Sequence, residues 1–468
     1  MHINKFFLYI FSICAFVPEV RSKQQNVQND DHIKLKNNKN VENKSIKNPE
    51  LNSILTGDFS QLKSFVKAAA SSSQFKKLLQ EKFNNALISN VIKMMVVNPK
   101  ITSDIRIGKV VFDGEKQSNT GKTSYNSYVD ANLAEFNLNK ISEMTEASSR
   151  IKEQKHELKE SLSKFCLEEI LEVLIDYIIS NKKVKLRERI TKSKLHSLNQ
   201  VKARIEAGSM NNSDLYSAEA DLASSKMELY VEQQKENILR EKLESLSLDA
   251  HVPTSIGKIK PTKSWEQTKL EILSGSHLLQ KAKSSKTADI ARTFATITNL
   301  APSVTLGLYF RRESTAYTRA TAGAKWSGET YLGIRHSIGL NSITQLAEGT
   351  YARNAARFKL LEEVRKAILA GKETFLSCEG AKKEFTFRLA TLENNERALE
   401  SKKTLFFNSV DLPSQRKVSI DDLQLQENNV VNACCSTLDA LGRAFKSHFK
   451  LKHMRGTLLK FIFGKDEI

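Results

Sequence analysis

The order of elements in this chain occurs twice, and that duplication constrains its fold more than any single motif. In the first half, RIEAGSMNNSDLYSAEADLA, Arg204 to Ala223, reads as two helices joined by a short polar turn. Gly208 suits the end of the first helix; Ser213 and Asp214, followed by Leu215, suit the start of the second. A related turn lies in FNSVDLPSQRKVSIDDLQ, Phe407 to Gln424. There Asp422-Leu423 with Glu427 match Asp214-Leu215 with Glu219, and the two aspartates stand 208 residues apart. A pair of period-two segments precedes each turn, and the pairs stand about 203 residues apart.

Those segments read as strands at 101–112, 127–136, 302–311 and 330–340. In the first, Ile101, Ser103, Ile105 and Ile107 alternate with Thr102, Asp104, Arg106 and Gly108. In the second, Val129, Ala131 and Leu133 alternate with Asp130 and Asn132. The third sets Val304, Leu306, Leu308 and Phe310 against Thr305, Gly307, Tyr309 and Arg311. The fourth sets Leu332 and Ile334 against Gly333 and Arg335. Strands of about ten residues with one apolar and one polar face match the pattern of a membrane barrel. A half-buried sheet in a soluble domain shows the same alternation. In a barrel, Asp104, Arg106, Asp130, Asn132, Arg311 and Arg335 would line a wet lumen. Four strands cannot close a barrel, since closed ones begin near eight. Closure needs several chains, and three would supply twelve strands.

Elsewhere the period is helical. Ile141, Met144, Ala147, Ile151, Leu158, Leu162 and Phe165 recur at threes, fours and sevens, which predicts a long amphipathic helix of coiled-coil character. The fold class expected is mainly α with short β: a duplicated strand pair plus long helical hairpin, forming a trimeric 12-stranded barrel continued by a helical barrel. The repeats are drawn at 51–250 and 266–450, with a Pro- and Gly-containing linker at 251–265 and a basic, aromatic tail at 451–468 suited to a membrane surface.

Residues 1–22 read as a secretory signal: Lys5, then the apolar run Phe6 to Val17, then Val20 and Ser22 at the cleavage position. Residues 23–50 are Asn- and Lys-rich and are expected to be a disordered linker. No later stretch is long, apolar and uncharged, so a membrane crossing would have to use strands. The net charge of +19 raises nucleic acid as a partner. The lysines are dispersed among glutamates without aromatic interleaving, so a solvated helical surface is the reading and no nucleic acid is expected. Cys166, Cys378, Cys434 and Cys435 show no CxxC or metal spacing and read as buried helix cysteines, with a disulfide left open.

Catalytic patterns fail on spacing. DGEKQSNTGKT places six residues between Gly114 and Gly121 where a phosphate-binding loop has four, and a strand follows where that loop needs a helix. His156-Glu157 begins like a zinc-protease motif, but Glu160 stands where the second histidine belongs. No enzyme, metal or cofactor is expected.

On Arg204, Glu206-Ala207-Gly208, Asp214-Leu215, Ala218-Glu219 and Leu222-Ala223, and on PSVTLGLYF from Pro302 to Phe310, the chain resembles the TolC family of outer-membrane efflux and secretion channels. The element order agrees from about residue 51 to 450. The second turn departs from the pattern, carrying Ser409-Val410-Asp411-Leu412-Pro413 in place of Glu-Ala-Gly. The resemblance implies a homotrimer in the outer membrane of a Gram-negative bacterium, extending into the periplasm. It implies docking to a periplasmic adaptor and an inner-membrane transporter, in efflux or type I secretion. It also implies that the turn around Gly208, Ser213, Asp214 and Leu215 meets those partners. Asp421 and Asp422 fall where some members narrow the periplasmic entrance with acidic residues. The helix dipole alone would also favour Asp422 there, as it would Asp214.

Overall fold

A computed structural model of the chain describes residues 49–55, 59–94, 100–109, 123–136, 138–207, 211–246, 252–257, 259, 261–298, 303–316, 325–335, 341–408 and 420–464. The expected signal, residues 23–48 of the Asn/Lys-rich segment, Gly208, and the strand ends at 110–112 and 336–340 lie outside these residues. Pro49 and Glu50, placed at the end of the expected disordered linker, instead open a helix.

The first repeat begins with α1 (Pro49–Leu55), α2 (Phe59–Ser72) and α3 (Gln74–Met94). Strands β1 (Lys100–Lys109) and β2 (Thr123–Phe136) follow, then α4 (Leu138–Phe165), a π turn (Cys166–Leu171), α5 (Glu172–Glu206) and α6 (Asn212–Leu246). The second repeat runs α7 (Trp265–Gly275), α8 (His277–Thr298), β3 (Ser303–Ala316), β4 (Lys325–Arg335), α9 (Asn341–Asn408) and α10 (Ile420–Met454), and α11 (Leu458–Phe463) follows.

The strands form one antiparallel sheet in the order β1-β2-β3-β4. They start or end away from the alternating apolar cores: β2 begins four residues before 127 and β3 runs five past 311. The added ends, such as Thr123–Asn126 and Arg312–Ala316, are polar, so period-two hydrophobicity does not mark them. The register slips between Asn132 and Ala134. A bulge there takes Leu133 out of the ladder, so the apolar series continues as Val129, Ala131, Ala134 and Phe136 instead of through Leu133.

The repeats differ by small, countable amounts. The first long rod consists of 28 helical, 6 π-helical and 35 helical residues, one more than the 68 of α9. A π turn is the local form of a one-residue insertion. The turn after the first rod spans 207–211, and the turn after α9 spans 409–419. One residue lost and six gained turn the 203-residue offset of the strands and rods into the 208-residue offset of α6 and α10.

Each hairpin is stitched along its length. Between α5 and α6, Arg187 meets Glu228 at 2.6 Å, and Asn181 donates to Glu236 at 2.8 Å. Between α9 and α10, Arg443 forks onto Glu384 at 2.6 and 3.3 Å, and the Thr437 hydroxyl donates to the Arg388 carbonyl at 3.1 Å. In the remainder of the rods, α4 packs along α8, where Arg150 meets Asp289 at 2.7 Å.

The short helices gather where the two repeats meet. Phe59 of α2 and Phe461 of α11 pack edge-on at 5.5 Å, and Phe449 of α10 joins both. Residues 252–257 are tied to α1, since the Ile54 carbonyl accepts from the amides of Ile256 and Gly257 at 3.0 and 3.1 Å. Helix α10 continues through 450 to Met454, and Leu458, Leu459, Ile462 and Phe463 beyond it are buried. The apolar side chains of this C-terminal segment therefore face the protein, not a membrane surface.

Gly456 closes this junction. It holds φ at +66°, and a Cβ there would come within 1.9 Å of the Gly275 carbonyl oxygen. Gly464 also has positive φ, at +86°, but faces open space. A left-handed backbone alone costs about 1–3 kcal/mol for a side chain. Gly464→Ala is expected to lower the melting temperature modestly. Gly456→Ala should lower it clearly more, because backbone must also move; thermal unfolding of the two variants side by side checks this.

Candidate functional site

Three regions bear on function: the sheet, the helix-reversal end, and the buried polar junction between repeats.

In the sheet, the register places Asp104, Arg106, Asp130, Asn132, Arg311 and Arg335 at positions of one face. Asp104 is level with Tyr128 and Arg311, and Asn132 is level with Lys100 and Gly307. The other face carries the apolar series, in which Val304 is opposite Ile334 and Leu306 opposite Leu332. Leu332 and Ile334 are 70% and 73% exposed, a heavy solvent cost for two strand residues in a water-soluble sheet. Among the described residues, β1 and β4 are each paired on one side only.

At the helix-reversal end, α5 stops at Glu206, and α6 starts with Asn211 as its cap rather than Ser213. The Asn211 amide donates to Asp214 Oδ2 at 3.3 Å and its carbonyl accepts from the Asp214 amide at 3.1 Å. Asp214 is thus the third helical residue, reaching back to the cap as in a capping box. Ser213 and Asp214 are exposed and Leu215 is half-buried. Asp422 is likewise the third residue of α10 and is exposed, with Asp421 before it. Lys402 of α9 donates to the Asp422 carbonyl at 3.4 Å.

The seam between the hairpins runs along α5 and α10. Lys183, with 9% of its side chain exposed, meets Asp439 at 2.7 Å and Glu232 of α6 at 3.8 Å. Lys446 meets Asp176 at 2.7 Å, Ser193 donates to Glu427 at 3.4 Å, and Gln424 donates to Ser197. A Cβ on Gly442 would be only in van der Waals contact with Ile179, so the helices approach closely here.

The junction holds a histidine cluster that period and spacing do not reveal. His453 of α10 pairs with Glu160 of α4 at 3.3 Å through Nε2, and its Nδ1 lies 2.7 Å from the Ser163 hydroxyl. His156 and His277 stack with centroids 6.3 Å apart. Burial, against the opposing charge of Glu160, pushes His277 down to about 4. Burial also pushes His448 down to about 3, with Lys452, Lys382 and Arg455 adding to it. Burial would raise the Glu160 carboxyl, but the His453 hydrogen bond and charge outweigh it and hold it below the usual value. The four cysteines form no disulfide and are buried, and burial pushes the Cys166 thiol up to about 12, far from a reactive thiolate. Among the described residues no group of three or more His, Cys, Asp or Glu could hold a metal, and no helix is long and apolar enough to cross a membrane.

No protein-family model and no curated protein matches the chain. Solved structures do. The outer membrane protein VceC of Vibrio cholerae superposes with a TM-score of 0.65 at 13% identity, over 85% of this chain and 96% of that one. The CmeC outer membrane channel of Campylobacter jejuni gives 0.65 at 12%, over 85% and 86%. The open MtrE outer membrane channel of Neisseria gonorrhoeae gives 0.64 at 14%, over 85% and 89%. The chain therefore has the fold of the TolC-type outer-membrane channels, the fold its duplicated turn and strand pairs resemble.

His277 and His448 make folding acid-sensitive. Both are held below the ordinary histidine value of 6.5, so the unfolded chain binds their protons first. Their contribution is complete above about 6.5 and is lost as the pH falls toward about 4 for His277 and about 3 for His448. The stabilising contribution of Glu160 persists through most of that window and is lost only below its ordinary 4.5. Melting curves from pH 7 to pH 5 should fall steadily, and His277→Gln should flatten the slope.

Proposed function

We propose that the chain is one protomer of a homotrimeric exit duct in the outer membrane of a Gram-negative bacterium, extending into the periplasm. The sheets of three protomers close a twelve-stranded barrel whose wet lumen is lined by the Asp104, Arg106, Asp130, Asn132, Arg311 and Arg335 positions. The rods continue the duct as a helical tunnel. It passes drugs, small molecules or secreted proteins passively, handed on by a periplasmic adaptor and an inner-membrane transporter that meet the turns at Gly208, Ser213, Asp214 and Leu215. Asp421 and Asp422, in three copies, form an acidic ring at the entrance.

The observation that carries this reading is an exposed apolar stripe on α9. Tyr351, Phe358, Leu369, Leu376, Phe387 and Leu405 are each half to three-quarters exposed. Their spacings of 7, 11, 7, 11 and 18 keep them on one line of a straight helix, since 18 residues make five turns. The line is roughly 80 Å long. On α6, Tyr216, Met227 and Ile238 repeat at eleven-residue intervals, also exposed. Apolar lines of this length call for burial against further copies of the rods. Together with half-paired β1 and β4 and outward Leu332 and Ile334, they support side-by-side closure of three chains.

The full-length protein is expected to fractionate with the outer membrane, to run as a trimer in detergent and to conduct in planar bilayers. A detergent monomer without conductance, released by osmotic shock, would instead identify a secreted soluble coiled-coil protein. Leu332→Arg should impair insertion, since a basic residue on a lipid face costs about 2–4 kcal/mol near mid-bilayer. Asp421→Asn with Asp422→Asn should keep the trimer but reduce the preference for cations, read as a shift in reversal potential under a salt gradient.

A further inference from the structure

A groove of about 400 Å³ opens between α3, α4 and α11. Its walls are apolar: Leu79 and Phe83 of α3, Leu158 of α4 and Phe463 of α11. Three amines stand at it, Lys76, Lys155 and Lys159, and no carboxylate is among its lining residues. The Lys76 ammonium lies 5.6 Å from the Phe463 ring centroid. The ion pairs along α4 engage Lys140, Arg150 and Lys164 and pass over Lys155 and Lys159.

The charge at the groove is thus uncompensated among the described residues. Lys155 and Lys159 are four apart on one helix face, an arrangement in which like charges repel. Its field is felt nearby. Burial and then Lys155 hold the Lys159 amine below its usual value, and burial, Lys159 and Lys155 together hold His156 low. An apolar wall by itself would accept any hydrophobic molecule. Convergent amines select the sign of the head group, and the volume falls within the range of small-molecule sites.

We propose that this groove binds an anionic amphiphile, with its carboxylate or phosphate head on Lys155 and Lys159 and its aliphatic tail against Leu79, Phe83, Leu158 and Phe463. All three walls belong to one chain, so the site does not depend on barrel closure. A free fatty acid and an anionic phospholipid offer the same head-and-tail chemistry.

The test uses the full-length protein in phosphatidylcholine nanodiscs and a dansyl-labelled undecanoic acid as fluorescent probe. Dodecanoate and dodecyl phosphate are expected to displace the probe. Dodecanol, with the same tail and no charge, should do so at least tenfold more weakly. Lys155→Gln with Lys159→Gln should weaken dodecanoate at least tenfold and remove the acid-over-alcohol preference, at an unchanged melting temperature. Leu158→Ala should weaken dodecanoate and dodecanol alike. Adding phosphatidylglycerol to the nanodiscs separates the sources: displacement of the probe supports a lipid ligand, and its retention supports a free amphiphile. Equal displacement by acid and alcohol, or an unchanged affinity in the double lysine variant, would overturn the proposal. So would a tenfold gain in affinity on Asp466→Asn with Glu467→Gln, since the groove would then be the seat of the chain's own acidic end.

Discussion

A sheet with two half-paired edges governs the rest of this molecule. β1 and β4 each present a row of backbone donors and acceptors on the side away from the sheet. Such rows hydrogen-bond to water but invite pairing with another chain, and they are untenable in lipid. Asp104 and Arg106 of β1 and Arg335 of β4 hold positions of one face, while Leu332 and Ile334 stand exposed on the other. In a closed barrel, pairing β4 of one copy with β1 of another would satisfy both rows at once. Such pairing would also set where the rods begin, because α4 follows β2 after one residue. The exposed line on α9 would extend the same sideways association along the helices, so edge pairing and helix packing would be served by one arrangement of copies.

The duplication is close but not symmetric, and its differences are local. The second rod is an unbroken helix of 68 residues, whereas the first carries a π turn at Cys166–Leu171. Cys166, Leu167, Ile170 and Leu171 are all buried there, at the level where α2 meets the rod. An extra residue inside a helix rotates the following face relative to the preceding one. The first rod can thereby turn one side to α8 above the junction and another to α6 and α10 below it. The second rod is followed by a connection six residues longer than that of the first.

Much of this arrangement was legible in the sequence because it rests on period. The strand alternation set Asp104, Arg106, Asp130 and Asn132 apart from the apolar series, and the backbone register keeps that division. The matched aspartates of the two turns, Asp214 and Asp422, both occupy the third position of their helices. Leu133 falls at a register slip, a feature of pairing between strands that is invisible in one strand alone. The cap of α6 lies at Asn211 and not at Ser213, since several adjacent residues can serve. The junction was illegible for a different reason. Phe59, Phe449 and Phe461 meet from opposite ends of the chain, and a contact between distant segments leaves no periodic signal in either. The basic, aromatic C-terminal segment looked like a surface element, yet its charge and its rings are partners: Lys452 lies 3.4 Å from the Phe461 centroid and Lys63 lies 4.5 Å from it. The stripe on α9 could have been found by searching at 18 residues, a period longer than the heptad.

The seam between α5 and α10 changes character along its length. Near the junction it is close and largely apolar, with Ile175 and Ile179 against Gly442 and with Phe445 and Phe449 fully buried, and the Lys446–Asp176 pair flanks these side chains. Midway Lys183 meets Asp439. Toward the turns the seam includes polar contacts between exposed or half-buried groups, Ser193 with Glu427 and Gln424 with Ser197. Exposed polar pairs contribute about 0–1 kcal/mol and exchange readily for water, whereas separating buried aromatic and aliphatic side chains costs several times more. The seam is therefore firmly closed at the junction and weakly closed at the turn end. In the proposed trimeric duct, this grading would make the turn end of α10 the easier part to separate and the junction, held by His453, Glu160 and the phenylalanine cluster, the harder one.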